Sequence, residues 1–402
     1  MKSRYLRVDL SVEGEAYVRN DIAQGLTEVN AAIFDCDGVL IDARDSYNRA
    51  IAKTVWYIIS HLTGVSFPDK AVTDEVIAAF KRGGGFNSDW DLAYAIIMFT
   101  VSSLPQRLIE AAAERVSSIR FSGDNVRDFH ELTRKSKVVK SAYNIDFIRK
   151  WNKRVLEFAA SIDESGIEDV ERKLIREVSS SMNKYELYMK VKDLLNYPGG
   201  IGESVVSTVF EEFFRGASFY QDSCGLKPLF NESEKGLVDL EKPIIKIETL
   251  VDMENIFGEA KFGIASGSFL KPAEHILGDI LKRFKREAII FYDEIYRAEL
   301  NAKKRGGKIV NLKKPNPFSI LKSASSLEPF KRAVYVGDSM EDALTVRNAN
   351  KKDPRYIFVG VYKHSPPPDE TLRDFINFGC EVILPTVNEL PYLLRWVRRY
   401  TR

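Results

Sequence analysis

A short apolar run that ends in two aspartates constrains this chain more than any other stretch. The run covers residues 31–34 and has the composition of a buried parallel strand. Asp35 and Asp37 come directly after it, and Gly38 follows them. Carboxylates at the end of a buried strand are unfavourable unless they bind a metal or take part in chemistry. Because ligands bind at the carboxyl ends of strands in open α/β sheets, the stretch predicts a functional site there.

The size and composition of the chain indicate a two-domain globular protein with a nearly balanced surface charge. Its 402 residues exceed the length of one average domain, and 45% of them are hydrophobic. Lys and Arg number 59 and Asp and Glu number 57, which gives a net charge of +2. Since this balance provides no bulk attraction to polyanions, we expect neither nucleic acid nor a membrane as a partner.

The cysteines and histidines are too scattered to form a structural framework. These residues are Cys36, Cys224, Cys380, His61, His130, His275 and His364. They show no C-x-x-C pair and no metal-ligand spacing, so neither a disulfide framework nor a zinc site is expected. The N-terminal residues also lack the apolar core of a signal peptide, and we therefore expect a cytoplasmic protein.

The hydrophobic pattern divides the chain into an α/β part and a helical part. Apolar strands alternate with helical segments near both ends of the chain, and those in the second half are predicted at 262–265, 288–292, 333–336, 356–361 and 381–384. Between them lies a long region of helical periodicity with almost no strand signal. The pattern predicts a doubly wound parallel sheet, Rossmann-like, formed by 1–42 and 256–402, with a mostly α-helical domain inserted at 43–255.

Two polar motifs lie next to predicted helices in the second α/β part. Ser266, Gly267 and Ser268 follow the strand at 262–265 and lead into a helix, where a hydroxyl and backbone amides can bind phosphate. The alternative for Ser266 is ordinary helix capping. Lys314 stands directly before Pro315 in the pattern K-P-N-P, and the alternative for this lysine is a solvated surface charge.

A third motif follows the strand at 333–336. It has the pattern G-D-S-M-E-D and contains Asp338 and Asp342. Mg²⁺ prefers hard oxygen ligands, usually one or two carboxylates together with waters and a substrate phosphate. The motif therefore predicts a metal site, and the alternative is helix capping by Asp338 or Ser339.

In this order, the motifs resemble the four motifs of the haloacid dehalogenase (HAD) superfamily. Asp35 occupies the place of the nucleophile in D-x-D-G-V-L-x-D, Ser266 that of motif II, Lys314 that of motif III and Asp338 that of motif IV. The resemblance implies a Rossmann-like core with a cap domain. It also implies Mg²⁺-dependent phosphoryl transfer through an aspartyl-phosphate, and the acid at Asp37 favours this chemistry over dehalogenation.

The resemblance also implies a role for each matched residue. Asp37 would protonate the leaving alcohol, and Lys314 would neutralise the nucleophile and the phosphoryl group. Mg²⁺ would bind Asp35, the backbone carbonyl of Asp37 and Asp338, while Asp342 would support these ligands or bind the ion through a water. The implied sites are catalytic Asp35, Asp37 and Lys314; phosphate-binding Ser266, Gly267 and Ser268; and metal-binding Asp35, Asp37, Asp338 and Asp342.

Two segments of the predicted cap carry a narrower resemblance, to a branch of HAD subfamily IA. Residues 46–51 have the sequence S-Y-N-R-A-I and residues 81–90 have K-R-G-G-G-F-N-S-D-W. The chain departs from the branch signatures at Asn48 and Ser88. The region from about 120 to 200 matches neither segment, and it could widen the cap, form a dimer interface or bind a partner.

Three cap residues are candidates for contact with a substrate. Asn87 and Ser88 follow a glycine run that would let the loop approach the cleft, and Arg49 could bind an anionic group. The alternatives are structural: Asp89 would cap the next helix, and Arg49 would form a surface salt bridge.

We therefore predict a phosphoric monoester hydrolase, a Mg²⁺-dependent phosphatase acting on a small phosphorylated metabolite. A phosphomutase of the same superfamily and a non-catalytic binding or regulatory protein with this fold are the alternatives. The sequence leaves the substrate and the oligomeric state open.

Overall fold

The computed structural model divides the chain into two compact units. It describes residues 4–11, 14–82, 85, 86, 88–140, 143, 145–304, 310–365 and 367–400. The sheet unit consists of Met1–Arg44 and Glu241–Arg402, and the helical unit of Asp45–Leu240.

The sheet unit is built around one eight-stranded sheet and a separate two-stranded pair. The strands are β1 (Tyr5–Ser11), β2 (Gly14–Arg19), β3 (Val29–Phe34), β4 (Ile41–Asp42), β5 (Lys242–Pro243), β6 (Phe262–Ala265), β7 (Ile289–Ile290), β8 (Arg332–Gly337), β9 (Tyr356–Val361) and β10 (Val382–Leu384). The large sheet has the order β1-β2-β10-β9-β8-β3-β6-β7 and is parallel from β10 to β7. The β1–β2 hairpin joins it antiparallel, and β4 pairs with β5. The predicted α/β fold class, with a mostly parallel sheet and a helical domain, is confirmed.

Both units also contain α-helices. They are α1 (Ala23–Thr27), α2 (Ser46–Thr63), α3 (Asp74–Arg82), α4 (Asp89–Ser102), α5 (Gln106–Ser117), α6 (Asn125–Lys135), α7 (Ile145–Ser161), α8 (Ile167–Val178), α9 (Met182–Leu195), α10 (Val205–Arg215), α11 (Ala217–Cys224), α12 (Ile247–Phe257), α13 (Leu270–Leu277), α14 (Tyr292–Lys304), α15 (Phe318–Leu327), α16 (Met340–Asn350), α17 (Pro368–Phe378) and α18 (Leu390–Tyr400). Of these, α2 to α11 belong to the helical unit.

The central strand β3 is buried on both faces, which explains its uninterrupted apolar sequence. Ala32 and Phe34 belong to the hydrophobic cluster on one side of the sheet, and Ala31 and Ile33 to the cluster on the other side. This alternation follows from the two-residue period of a strand. Since helices cover both faces, no position in the middle of β3 needs a polar side chain.

The boundaries between the units differ from the predicted domain boundaries. The sequence pattern assigned 43–255 to the helical domain, whereas residues 43, 44 and 241–255 belong to the sheet unit. The physical reason lies in α12, whose Leu250 and Met253 are fully buried in the same hydrophobic cluster as β3. A helical period alone cannot show which core a helix packs against.

The strongly apolar helix α4 is a core helix of the helical unit. Its residues from Leu92 to Ser102 are buried at every position. Among the described residues, no single helix combines the length and apolar composition needed to cross a bilayer. In the described ranges, α4 and α5 have the required length and composition when they are taken together, but the two helices are bent by 116° at the break between them.

The helix α10 is central to the helical unit, and its buried Glu212 fixes a loop. All eleven residues of α10 are buried. The carboxylate of Glu212 accepts hydrogen bonds from the backbone N–H groups of Leu229, Phe230 and Asn231 at 2.6–3.0 Å. Burial raises the pKa of Glu212, and these three hydrogen bonds act in the opposite direction. The side chain therefore accepts hydrogen bonds from three backbone N–H groups that would otherwise lack an acceptor inside the unit.

We expect Glu212→Leu to lower the free energy of unfolding by about 3 kcal/mol, because three backbone N–H groups would lose their acceptor. Urea denaturation followed by circular dichroism measures the change. Glu232→Leu, at an exposed position next to the same loop, is the matched control. Equal midpoints for the two variants would contradict the structural role of Glu212.

Candidate active site at the carboxyl edge of the sheet

Three predicted site residues come together because their strands are neighbours. Asp35 follows β3, Ser266 follows β6 and Asp338 follows β8. In the sheet, Phe34 pairs with both Ile264 and Val336, so the three strands end at the same level. The order of the strands also reverses at β3, because β6 lies on one side of it and β8 on the other. Ligands bind in the crevice at such a reversal in open α/β sheets.

A group of three carboxylates forms the centre of this edge. Asp35, Asp338 and Asp342 each offer an oxygen, and these oxygens lie within 4.8 Å of one another. The turn after β3 packs closely on the group: Gly38 has φ +73°, and a Cβ at this position would lie 2.1 Å from Asp338 Oδ2. Only glycine therefore satisfies both the backbone conformation and the space available.

Lys314 lies among these carboxylates and is itself buried. Its Nζ is 2.9 Å from Asp35 Oδ1 and 2.7 Å from Asp342 Oδ1, and its side chain is 7% exposed. Burial lowers the pKa of Lys314, but Asp342 and Asp35 outweigh it and raise the pKa well above its ordinary value. The lysine is a buried cation, so the alternative of a solvated surface charge does not apply.

The carboxylates carry more negative charge than one lysine can offset. Burial raises the pKa of Asp35, although Lys314 acts to lower it. Burial also raises the pKa of Asp338, and the charges of Asp342 and Asp35 add to this effect. Burial is the largest cause at both residues, and a cation bound beside them would act in the opposite direction and favour the ionised forms.

Asp342 uses both of its oxygens to hold neighbouring groups. Oδ1 accepts from Lys314 Nζ and lies 3.0 Å from the hydroxyl of Tyr335, while Oδ2 accepts from the N–H and hydroxyl of Ser339. Ser339 in turn caps α16, and Asp342 completes the capping box. The predicted helix-capping alternative thus applies to Ser339. Asp342 positions Lys314 and the start of α16, and its support of the metal ligands stays a prediction.

Asp35 and Asp338 have the oxygens best suited to a metal ion. Asp35 Oδ1 is buried and lies 2.9 Å from the ammonium of Lys314, which Asp342 shares at 2.7 Å. Since one lysine serves two carboxylates and Asp338 lies beside them, a bound cation would favour the ionised form of the group. The donors here are all hard oxygens, so the residues fit a divalent cation such as Mg²⁺.

A short chain of hydrogen bonds connects the predicted phosphate-binding loop to Asp37. The hydroxyl of Ser266 accepts from the N–H of Ser268 at 3.2 Å and lies 3.3 Å from its hydroxyl. The hydroxyl of Ser268 donates to Asp37 Oδ2 at 2.5 Å. At Gly267, a Cβ would meet no atom within 4 Å. Ser268 therefore orients Asp37, a contact that the sequence pattern did not indicate.

The loop after β9 contributes two residues that the sequence analysis missed. Ser365 donates to Asp338 Oδ2 at 2.7 Å, and His364 Nδ1 lies 3.1 Å from Asp42 Oδ2. No motif marks this loop. The available signal was topological, because β9 is the neighbour of β8 and ends at the same edge of the sheet.

The structure gives local explanations for two of the three cap candidates. Arg49 forms an exposed ion pair with Asp45 at 3.9 Å, one helical turn away. Ser88 caps α4 by accepting from the N–H of Trp90 at 3.1 Å, so the helix begins at Asp89 and Asp89 is not its cap. Asn87 lies outside the described residues. Contacts of all three with a substrate stay predictions.

The glycine run before Ser88 has a packing explanation at Gly85. A Cβ on Gly85 would lie 2.4 Å from the backbone nitrogen of Gly166, so the two backbones approach closely within the helical unit. Gly83 and Gly84 lie outside the described residues. The predicted approach of this run to a substrate stays untested.

Comparisons with known proteins identify a similar fold in a solved structure. No protein-family model matches this chain, and no curated protein does. A solved X-ray structure of a Northeast Structural Genomics Consortium target is similar with a TM-score of 0.61 and 16% identity, over 92% of this chain and 100% of that one. Phosphatase Tt82 from Thermococcus thioreducens aligns with a TM-score of 0.47 and 21% identity, over 86% of this chain and 98% of that one. The first likeness shows that the fold occurs in another protein of distant sequence.

We expect Mg²⁺ to raise the Tm of the wild-type protein and EDTA to reverse the rise, because a bound cation offsets the repulsion among the buried carboxylates. At a concentration one hundred times the Kd, the stabilisation is about 2.7 kcal/mol. Asp338→Asn should remove most of this rise. Asp369→Asn, an exposed aspartate in the first turn of α17, is the control. An undiminished rise in Asp338→Asn would contradict the assignment of the metal site.

Proposed function

We propose that this protein is a Mg²⁺-dependent phosphatase that hydrolyses a small phosphorylated metabolite through an aspartyl-phosphate. The observation that carries the proposal is the placement of Asp35. Its carboxylate lies at the end of the central strand, 2.9 Å from the buried ammonium of Lys314 and within 4.8 Å of two further carboxylates. The order of the sequence motifs, which resembles that of the HAD superfamily, gives independent support.

The arrangement suits attack by a carboxylate on a phosphate monoester. Such an ester is negatively charged and repels a carboxylate, so positioning and charge neutralisation provide most of the acceleration. Lys314 contributes one positive charge beside Asp35, and Mg²⁺, when bound by Asp35 and Asp338, supplies further positive charge to the phosphoryl oxygens. Asp35 forms a new bond to phosphorus while the bond from phosphorus to the ester oxygen breaks.

Asp37 is the proposed general acid and base. In the first step, its carboxyl group gives a proton to the departing ester oxygen, and in the second it accepts one from the water that attacks the aspartyl-phosphate. Ser268 supports this role by fixing the carboxyl group through a hydrogen bond. Ser266 and the backbone amides of Gly267 and Ser268 are the proposed ligands of the phosphoryl oxygens.

The decisive test is phosphate release from a panel of phosphorylated metabolites with Mg²⁺. We expect release from a few compounds, loss with EDTA and a loss of at least about 10³-fold in Asp35→Asn, because the amide is not a nucleophile. Circular dichroism checks that the variant is folded. A normal rate in Asp35→Asn would overturn the nucleophile assignment. Isomerised sugar phosphate in excess over free phosphate would indicate a mutase. Absence of phosphate release from every compound would indicate a binding protein.

The role of Asp37 predicts a dependence on the leaving group. Asp37→Asn should lower kcat/KM, which reports formation of the aspartyl-phosphate and not its hydrolysis, about 10²- to 10⁴-fold with glycerol phosphate, whose alkoxide needs a proton. With p-nitrophenyl phosphate the loss should be much smaller, since nitrophenolate leaves without one. Ser268→Ala should also lose more activity with glycerol phosphate than with p-nitrophenyl phosphate, but both losses should be smaller than those of Asp37→Asn. An equal loss with both substrates would exclude Asp37 as the general acid.

A further inference from the structure

The two oxygens of Asp338 are in different surroundings. Oδ2 accepts the hydroxyl of Ser365 at 2.7 Å and packs against the backbone of Gly38. Ser365 is buried, with 8% of its surface exposed, so water competes little for this hydrogen bond. A hydrogen bond from a hydroxyl to a carboxylate is short and strong compared with one between neutral groups.

The loop that carries Ser365 is held in place by other contacts. The N–H of Ser365 donates to the carbonyl of Tyr362 at 3.2 Å, and its own carbonyl accepts from the hydroxyl of Thr371 at 3.2 Å. The preceding His364 contacts Asp42, which Arg44 also binds through two nitrogens. The position of the loop therefore does not depend on the Ser365 hydroxyl, which faces Asp338 as an additional group.

We propose that Ser365 is a positioning residue that limits Asp338 to one coordinating oxygen and so makes the metal site select Mg²⁺ over Ca²⁺. The inference rests on the proposed function, because it needs the metal site at Asp35 and Asp338. It concerns a residue outside all of the sequence motifs.

The selection follows from the coordination preferences of the two ions. Mg²⁺ requires six ligands in near-octahedral geometry and takes carboxylates through single oxygens, whereas Ca²⁺ accepts six to eight oxygens and often binds both oxygens of a carboxylate. Ser365 holds Oδ2 of Asp338 by a hydrogen bond, and coordination of an ion through Oδ1 alone leaves this hydrogen bond in place. Binding of Ca²⁺ through both oxygens would disturb this hydrogen bond and so lower the affinity for Ca²⁺. Binding of Mg²⁺ through one oxygen keeps the hydrogen bond, so the affinity for Mg²⁺ is not lowered.

The neighbouring carboxylates do not provide the same control. Asp342 accepts hydrogen bonds on both oxygens from Lys314 and Ser339, so its orientation is set by groups other than Ser365. Asp35 Oδ1 lies 2.9 Å from the ammonium of Lys314, so this oxygen is paired with a cation and not with a hydroxyl. Asp338 is thus the carboxylate at which one hydroxyl decides the number of ligands.

The experiment measures binding of MgCl₂ and CaCl₂ to the full chain by isothermal titration calorimetry, after removal of metals with EDTA. In Ser365→Ala the ratio of the two Kd values should shift about tenfold towards Ca²⁺, the value of one charge-assisted hydrogen bond. Ser365→Thr keeps the hydroxyl and should restore the wild-type ratio. Ser325→Ala, at an exposed serine in the last turn of α15, is the control.

Each outcome separates this inference from the proposed function. A shifted ratio in Ser365→Ala, restored in Ser365→Thr, supports the inference. An unchanged ratio, including equal losses of affinity for both ions, overturns it and leaves the phosphatase proposal intact. Binding of neither ion by the wild-type protein overturns both the inference and the metal dependence of the proposed function.

Discussion

The carboxyl edge of the sheet depends on the buried ammonium group of Lys314. It contacts Asp35 after β3 and Asp342 in α16, and it lies over the ring of Tyr335, 5.5 Å from its centre. These contacts tie together a loop, two strands and a helix through one charge. Removing one partner of a buried ion pair is far more costly than the pair itself is stabilising, since the remaining charge stays buried. The arrangement of side chains at this edge therefore depends on Lys314 and its contact residues together, and not on any one of them.

Three carboxylates and one lysine lie together at this edge, so ionised carboxylates would leave a surplus of negative charge there. A folded protein retains such a surplus only where something other than stability is gained, because burial of like charges lowers the free energy of unfolding. A bound cation would offset part of this surplus, whereas an anionic phosphoryl group would add to it and needs the cation and Lys314. The polar side chains around it, among them Ser268 and Ser365, orient the carboxylates without neutralising them.

The strand pattern of the sequence was enough to predict the fold class and the edge at which Asp35, Ser266 and Asp338 lie, because apolar runs and the residues after them are local features. The boundary near residue 241 was not predictable in this way, since it depends on which core α12 joins. The contact of Ser365 with Asp338 and that of Ser268 with Asp37 were also missed. Such contacts depend on the path of a loop in three dimensions, for which hydrophobic periodicity has no signal.

The position of β3 in the sheet has a consequence for how the protein is made. Ala32 pairs with Phe262 on one side and with Val334 on the other, so β3 leaves the ribosome long before either partner strand exists. The helical unit is one continuous segment, Asp45–Leu240, and it can complete its own core in the meantime. The helical unit is therefore the first part of the chain that can fold during synthesis. The apolar strand β3, which precedes it, stays unpaired until β6 and β8 have been made.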